Sequence, residues 1–246
     1  MLKRGMIPAA GLGLGLVLAG CATSTPEAAS INDPLEPANR CVFEFNQKFN
    51  KYVVLPIADI YIYHTPAPIR DGLHNFVSNL DLPVTFVNDA LQGEFHRSAV
   101  ALGRLALNTT AGLGGLLDVA VRAGLPAHTA DFGQTLAVWG VGEGPFLVLP
   151  IIGPEPPRDL VGDTVDIAMD PLAWEPQSFS LGERIGTVIG LHIANPFESH
   201  ARNIYLRQEF EKDSLDPYAT MRSAWRQSRA REIAGAPGTS DESLAQ

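Results

Sequence analysis

Four aspartates with helical spacing are the first residues whose pattern could do chemistry. They fall at i, i+4, i+7 and i+11, at Asp159, Asp163, Asp166 and Asp170. On a helix this spacing gives a row of carboxylates on one face, which could bind Ca²⁺ or supply an acid/base pair. Gly162 and Pro171 weaken a helix here, so we favour a solvated acidic face over either kind of site.

A cysteine near the N-terminus offers covalent attachment of lipid. Lys3 and Arg4 precede an apolar stretch that is too short to span a bilayer, and "LAGC" follows at 18–21. This is the order of a secretory signal peptide. "LAGC" is similar to a bacterial lipobox, which implies cleavage before Cys21 and acylation of that residue. Alanine, not aspartate, follows the cysteine, which by the bacterial sorting rule implies the outer membrane.

The charge of the mature chain excludes some partners. Without Lys3 and Arg4, 16 basic residues face 27 acidic ones, a net charge of −11. Such a chain repels nucleic acid and adsorbs poorly to anionic lipid, so membrane contact must be apolar. The other cysteine, Cys41, has no intrachain partner once Cys21 carries lipid, so we expect no disulfide framework.

Arginines are candidates for contact with phosphate headgroups or an acidic carrier protein. Arg222, Arg226 and Arg229 share one face of a final basic helix from Asp216 to Glu232, where a solvated face is the alternative that we favour. Arg97 and Arg104 are seven residues apart and are weaker candidates on spacing alone.

The sequence contains none of the common catalytic or phosphate-binding motifs. It contains no G-x-S-x-G, no H-E-x-x-H and no phosphate-binding loop, and its six histidines are separate from one another. We therefore expect no catalytic residues, no metal and no cofactor. A lipid-anchored periplasmic phospholipid hydrolase stays an alternative because a triad is recognised by geometry and not by order. A structural lipoprotein that bridges a porin to other envelope parts is a third possibility.

Alternating glycines precede a short apolar run that prolines interrupt. Gly140, Gly142 and Gly144 lead into "PFLVLPII" at 145–152, where the prolines limit any strand to an edge or a hairpin. From the residues alone we favour a tight turn with a buried hairpin behind it.

The rest of the chain predicts short amphipathic helices, so the fold class is mostly α. An aromatic stripe of Phe45, Phe49 and Tyr52 follows helical spacing until Pro56 ends the helix. A second helix begins at Thr65 and Pro66, and Pro83 opens a shorter one. Helices of about ten to fifteen residues are too short to span a bilayer and either lie along an interface or surround a cavity.

Polar, small-residue-rich segments bound one large domain. We predict a signal peptide at 1–20, a flexible tether at 21–31, a single α-helical domain at 32–234 and a disordered tail at 235–246. Gly182, Gly186 and Gly190 form a stripe of small residues that allows close helix packing, in lipid or in a protein core.

Several stretches together resemble the MlaA/VacJ family of outer-membrane lipoproteins. They cover nearly the whole mature chain in the right order, which is more specific than any one motif. They are "NDPLEPANRCVFEFN" (32–46), "NFVSNLDLPVTFVNDALQG" (75–93), "LNTTAGLGGLLDVA" (107–120), "DFGQTLAVWGVGEGPFLVLPIIGP" (131–154), "RDLVGDTVD" (158–166) and "DPYATMRSAWRQSR" (216–229).

The resemblance implies a ring-like arrangement of helices in the inner leaflet of the outer membrane of a Gram-negative bacterium. It implies an amphipathic pore, association with a porin trimer, and transport of mislocalised outer-leaflet phospholipid to a soluble periplasmic carrier. The chain would be anchored on the periplasmic face and would not be an enzyme.

With that resemblance, the glycines become a hinge and the apolar run becomes a movable, lipid-contacting flap beside the pore. The predicted flap residues are Phe146, Leu147, Val148, Leu149, Ile151 and Ile152.

Overall fold

The computed structural model describes residues 32–170 and 214–235, and these residues are mostly helical, as predicted. The α-helices are α1 Glu36–Phe49, α2 Leu55–His64, α3 Ala67–Leu91, α4 Phe95–Thr110, α5 Val119–Arg122, α6 Phe132–Val138, α7 Pro157–Met169 and α8 Pro217–Ile233. A π-helical segment, Asn50–Val54, joins α1 to α2, and a small hairpin pairs β1 Val148–Leu149 with β2 Gly153–Pro154.

The first helix continues beyond Pro56, so the predicted end at that proline is wrong. The π-helical segment widens the turn just before it, and the N–H of Leu55 bonds the carbonyl of Asn50. Pro56 then lies in the first turn of α2, where a missing N–H costs little. One helical rod therefore carries the aromatic stripe of α1 into the apolar α2.

Pro83 lies inside α3, so the prediction of a new helix there is also wrong. An interior proline loses a hydrogen bond and strains the helix. Burial of Val77 and Leu82 on α3 offsets that cost. The chain reverses at Gly93, whose φ of 82° suits glycine, and α4 packs back along α3. Ser98 on α4 donates its hydroxyl to the carbonyl of Phe86 at 2.9 Å.

A close approach of two helices explains Gly162, which the sequence pattern treats as a helix breaker. In α7 this residue lies directly against the backbone of Gly133 in α6, where a Cβ atom would clash. The helix therefore forms in spite of its glycine, because the missing side chain lets α6 and α7 touch.

The hairpin and the last helix share a small apolar core. Val148 pairs with Pro154 and Leu149 with Gly153 in antiparallel register, which agrees with the predicted hairpin. Phe146, Val148 and Tyr218 are buried together, and partly buried side chains of α1 and α8 surround them. The side chain of Asp216 caps α8 by accepting the N–H of Ala219, close to the predicted helix start.

Within 32–170 and 214–235, no helix has both the length and the apolar character needed to cross a membrane. The ring-like arrangement and the domain boundaries stay predictions. Cys21, the tether, residues 236–246 of the tail, and the stripe of Gly182, Gly186 and Gly190 lie outside the described residues.

Candidate functional site

The glycine segment before the hairpin is a set of tight turns. Gly140 follows the end of α6 with a φ of 90°, and Gly144 has a φ of 80°. A Cβ atom on Gly144 would also lie 3.3 Å from the ring of Pro157, whereas Gly142 faces open space. The two outer glycines are thus required by backbone conformation. Whether the segment acts as a hinge stays a prediction.

The predicted flap divides into a buried part and an exposed part. Phe146 is 0% and Val148 3% exposed, so the structure contradicts their prediction as lipid-contacting residues. They alternate inward along the strand and pack on the core with Tyr218. This matches the alternative of a buried hairpin behind a tight turn.

The tip of the hairpin presents apolar side chains to the surroundings. Ile151 is 63% and Ile152 67% exposed, while Leu147 and Leu149 are half-buried. Lipid contact by the loop is therefore expected at its tip.

A second apolar surface follows the rod formed by α1, the π-helical segment and α2. Phe45 is 49% exposed and stacks on the half-buried Phe49, with ring centroids 6.2 Å apart. Tyr52 is 69% exposed. The surface continues over α2 and the start of α3 through Ile57, Ile60, Tyr63, Ile69, Leu73 and Phe76. Exposed apolar residues at this density mark a membrane or protein contact.

The expected solvated row of arginines on α8 is wrong, because these side chains form internal ion pairs. Arg222 binds the fully buried carboxylate of Asp33. Arg226 reaches Glu143 at 2.9 Å, and its guanidinium lies 5.1 Å from the centre of the Phe146 ring. Hydrogen bonding explains the burial of these cations.

Arg229 is the centre of the largest of these clusters. It binds Asp131 at 2.7 Å, Asp159 at 2.6 Å and Glu232 at 3.0 Å. Burial by itself lowers the pKa of Arg229, but the carboxylates of Asp131 and Asp159 raise it overall. The cluster joins α6, α7 and α8.

The two predicted headgroup arginines on α4 also bind within the protein. Arg104 is buried and donates to Asp118 and to the carbonyl of Leu125, both at 2.7 Å. Arg97 lies 3.5 Å from Asp89 and donates to the carbonyl of Thr129. A headgroup contact by Arg104, Arg222 or Arg229 would break buried pairs, and we do not expect it.

Three of the four aspartates in the row are buried and Asp163 is exposed, so the favoured interpretation of a solvated acidic face holds only at Asp163. Asp159, Asp166 and Asp170 are each about 5% exposed or less. Asp159 pairs with Arg158 and Arg229. Burial raises the pKa of Asp166 to about 7, although it accepts hydrogen bonds from the Phe132 N–H and from Asn88.

A small acidic cleft of about 130 Å³ opens beside this row. It is lined by Asp131, Glu155, Asp159, Asp163, Trp225, Arg229 and Glu232. Burial and then the neighbouring carboxylates raise the pKa of Glu155 to about 8 and that of Asp163 to about 6. In the described residues no group of three or more acidic, cysteine or histidine side chains is arranged to hold a metal ion.

A histidine–aspartate pair is the feature nearest to hydrolase chemistry. His128 Nε2 lies 2.7 Å from Oδ2 of the fully buried Asp89. A triad would also need a nucleophile bonded to the histidine. Ser98, a buried hydroxyl on α4, donates instead to the carbonyl of Phe86.

A buried polar junction joins the start of the described chain to α8 and was not predicted from the sequence. Tyr218 donates its hydroxyl to Asp33 at 2.6 Å, and Asn39 donates to the other oxygen of that carboxylate at 2.9 Å. Burial and the adjacent carboxylate raise the pKa of Tyr218. The partners are separated by 185 residues in sequence, so no local pattern could pair them.

Comparison with known proteins gives consistent matches. A family model described as MlaA lipoprotein matches residues 31–232. The intermembrane phospholipid transport system lipoproteins MlaA of Shigella flexneri and Escherichia coli K12 are each 37% identical over 214 residues, covering 85% of this chain and 81% of theirs. A solved structure from work on the structural basis for maintenance of bacterial outer membrane lipid asymmetry superposes with a TM-score of 0.71. It is 32% identical and is matched over 82% of this chain and 98% of that one.

Proposed function

This chain belongs to the MlaA lipoprotein family, and from that premise we propose that it moves phospholipid to maintain the lipid asymmetry of the outer membrane. Its relatives are named as lipoproteins of an intermembrane phospholipid transport system. In our proposal the chain takes mislocalised phospholipid from the outer leaflet and passes it to a soluble periplasmic carrier.

The observation that carries the proposal is the exposed apolar surface of the described helices. Ile60 and Tyr63 on α2 are 62% and 75% exposed, although the charge of the chain keeps it from adsorbing to anionic lipid by electrostatics. Such side chains are favourable in contact with acyl chains and costly in water. The surface therefore supports residence in one leaflet, with Cys21 as the acylated anchor.

Transport of a phospholipid requires two kinds of surface side by side. Acyl chains need an apolar wall, and the charged headgroup needs polar surface. The hairpin tip presents Ile151 and Ile152 to the surroundings, α2 is apolar, and α1 and α3 are amphipathic, with polar side chains on the faces opposite their apolar ones. A porin trimer is proposed as the partner that holds the chain in the outer membrane.

Photocrosslinking in the lipidated, membrane-inserted chain tests this function. A photoreactive residue at Ile151 or Ile60 should capture labelled phospholipid, whereas one at Gln227, an exposed polar position on α8, should not. Capture of protein alone at all three positions would contradict a lipid path and support the structural bridge.

A second assay separates transport from hydrolysis. The purified protein is incubated with labelled phosphatidylethanolamine, and the products are extracted. Transport predicts intact lipid recovered with the protein. Released fatty acid that disappears in a His128→Asn variant would identify a hydrolase that uses the Asp89–His128 pair.

A further inference from the structure

The arginines predicted from the sequence for headgroup contact are mostly used inside the protein. Arg104, Arg222 and Arg229 bind carboxylates of the same chain. A charged surface for lipid headgroups therefore has to come from other side chains. Basic residues without an internal carboxylate are the ones free to bind an anionic lipid phosphate.

Three such cations lie along the apolar surface of α1, α2 and the start of α3. They are Lys48 on α1, Lys51 in the π-helical segment and Arg70 near the start of α3. In the part of the chain that the structure describes, none of the three forms an ion pair with a carboxylate. Both lysines are exposed, and Arg70 is half-buried. These three side chains are called the basic edge below.

Helical spacing sets two of these cations next to exposed apolar side chains. Lys48 lies three residues after Phe45, and Arg70 lies three residues before Leu73, so each pair is adjacent on the helix surface. Phe45 is 49% and Leu73 is 42% exposed. Lysine and arginine can bury their alkyl stems along apolar surface while the charge stays at the polar boundary. The basic edge thus borders the surface that is proposed to contact acyl chains.

Lys51 and Tyr52 form a pair typical of a membrane interface. The Lys51 ammonium lies 5.5 Å from the centre of the Tyr52 ring, and Tyr52 is 69% exposed. A cation above an aromatic face is attracted by the ring electrons. Tyrosine is enriched where the apolar region of a membrane meets its headgroups. The pair therefore indicates the depth at which this surface meets phosphate groups.

The guanidinium of Arg70 has a hydrogen-bond donor that the described chain does not use. Its Nε is buried and has no hydrogen-bond partner within 32–170 and 214–235. A buried donor without an acceptor is unfavourable. A phosphate would satisfy it, because guanidinium groups bind phosphate oxygens through two parallel N–H bonds.

The net negative charge of the chain does not prevent such local contacts. It acts against adsorption from a distance, but charges are screened over about 8 Å at physiological ionic strength. Glu44 lies four residues before Lys48 and Asp71 directly follows Arg70, and neither pairs with the basic edge. At contact, the cations of the edge therefore determine which headgroups bind beside the apolar surface.

We propose that the basic edge binds the phosphates of surrounding phospholipids and gives this surface a preference for anionic lipid such as phosphatidylglycerol. Phosphatidylethanolamine carries its own ammonium, which competes with Lys48, Lys51 and Arg70 for the phosphate, whereas phosphatidylglycerol has no cation. This inference rests on the proposed function, because it names the lipid class that borders the same surface.

Native mass spectrometry of the full-length lipidated chain tests the preference. The chain is purified in detergent without a porin and mixed with equal amounts of phosphatidylglycerol and phosphatidylethanolamine. The ratio of bound phosphatidylglycerol to bound phosphatidylethanolamine should exceed one. It should fall about five-fold in Lys51→Gln, the factor for one cation beside an anionic lipid. Arg231→Gln removes an exposed cation from α8 and should keep the parent ratio.

A conservative variant separates charge from packing at the half-buried position. Arg70→Lys keeps the charge and should retain a preference for phosphatidylglycerol, whereas Arg70→Gln should lower it. In about 1 M salt, where the screening length is about 3 Å, the parent ratio should approach that of Lys51→Gln. A ratio that salt leaves unchanged would contradict an electrostatic contact.

Two further outcomes would overturn the inference. One is a parent ratio of one, and the other is an equal fall in Arg231→Gln and Lys51→Gln. If the parent shows no lipid preference but Lys51→Gln weakens co-purification of a porin, the basic edge is a protein contact. A parent chain that prefers phosphatidylglycerol yet transfers no fluorescent phospholipid between vesicles contradicts the proposed function and leaves the headgroup contact standing.

Discussion

At the scale of single residues, the protein is organised by arginine side chains that bind buried carboxylates. Arg229 on α8 binds Asp131, Asp159 and Glu232. Arg104 on α4 binds Asp118, which directly precedes α5. The net negative charge of the chain is thus partly neutralised inside the fold. These arginines stabilise the domain internally, and the exposed surfaces of α1, α2 and the hairpin tip carry apolar side chains.

Loss of Arg229 should be strongly destabilising. An Arg229→Met variant leaves the half-buried Asp131 without its cation and the buried Asp159 with Arg158 alone, so we expect a cost of about 1–3 kcal/mol, less than for a buried charge with no partner left. We expect a large fall in the denaturant midpoint and a smaller fall for Arg229→Lys, which keeps the charge. Arg231→Met, at an exposed position of the same helix, is the control and should change the midpoint little.

Protonation of the acidic cleft should make stability depend on pH. The pKa of Glu155 is raised to about 8 in the folded protein, so its folded form favours the proton. Its contribution is full below about pH 4.5 and is lost as pH rises towards about 8. A Glu155→Gln variant should therefore gain melting temperature over the parent at about pH 8.5 and little at about pH 5.

Asp118 provides a control of opposite sign. Burial alone would raise the pKa of Asp118, but hydrogen bonds from Arg104 and Asn108 lower it overall. An Asp118→Asn variant should lose stability at neutral pH and approach the parent as the solution becomes acidic. If the melting temperatures of Glu155→Gln and Asp118→Asn differed from the parent in the same way at every pH, the pKa of Glu155 would not be raised in the folded protein.

At the scale of elements, the local pattern predicted most helices and misplaced their ends at prolines. The capped start of α8 and the short α6 follow from nearby residues. Pro56 and Pro83 do not break their helices, because the π-helical segment and the packing of α3 on α4 compensate. Propensity describes the isolated segment, and tertiary packing overrides it here.

The candidate site was predictable only where its residues act locally. The short apolar run with its prolines predicted an edge strand or a hairpin, and helical spacing predicted the aromatic stripe, of which Phe45 and Tyr52 are exposed. Burial of Phe146 depends on Tyr218, which is distant in sequence, and the ion pairs of α8 depend on α6 and α7. Partners so distant leave no periodic signal in the sequence.

The two glycines of the turn should tolerate substitution differently. Gly144→Ala forces a side chain into a left-handed conformation and against Pro157, which should destabilise the fold by about 1–2 kcal/mol. Gly142→Ala meets open space and should be close to neutral. Thermal unfolding of both variants tests this, and equal losses would contradict the requirement at Gly144.

At the scale of the whole molecule, the described residues combine exposed apolar side chains with buried charged ones. Tyr52 and Ile57 are exposed, while Asp33, Asp89 and Arg104 are buried. A protein that works in water normally has the reverse arrangement. The distribution suits a chain whose surroundings are partly acyl chains.

Membrane affinity should therefore persist without the acyl anchor. A chain that begins after Cys21 should float with phosphatidylethanolamine vesicles, and an Ile57→Asp, Ile60→Asp double variant should float much less. Each substitution replaces an exposed apolar side chain by a charge that resists burial in lipid. Gln227→Asp on α8 is the control. A chain that stays in solution without its anchor would contradict a lipid-embedded surface.

The contact between Asn32 and Gly144 limits how far the hairpin can lie from the lipid anchor. The Asn32 side chain donates to the carbonyl of Gly144, just before the hairpin, and Asn32 lies eleven positions after Cys21. A chain segment of that length extends at most about 40 Å, little more than the roughly 30 Å thickness of a bilayer's hydrocarbon core. If Cys21 carries acyl chains, the segment from Cys21 to Asn32 is too short for the hairpin to move away from the membrane that holds the anchor. In the proposed function, phospholipid therefore has to reach this chain at the outer membrane, because the anchored chain does not leave that membrane.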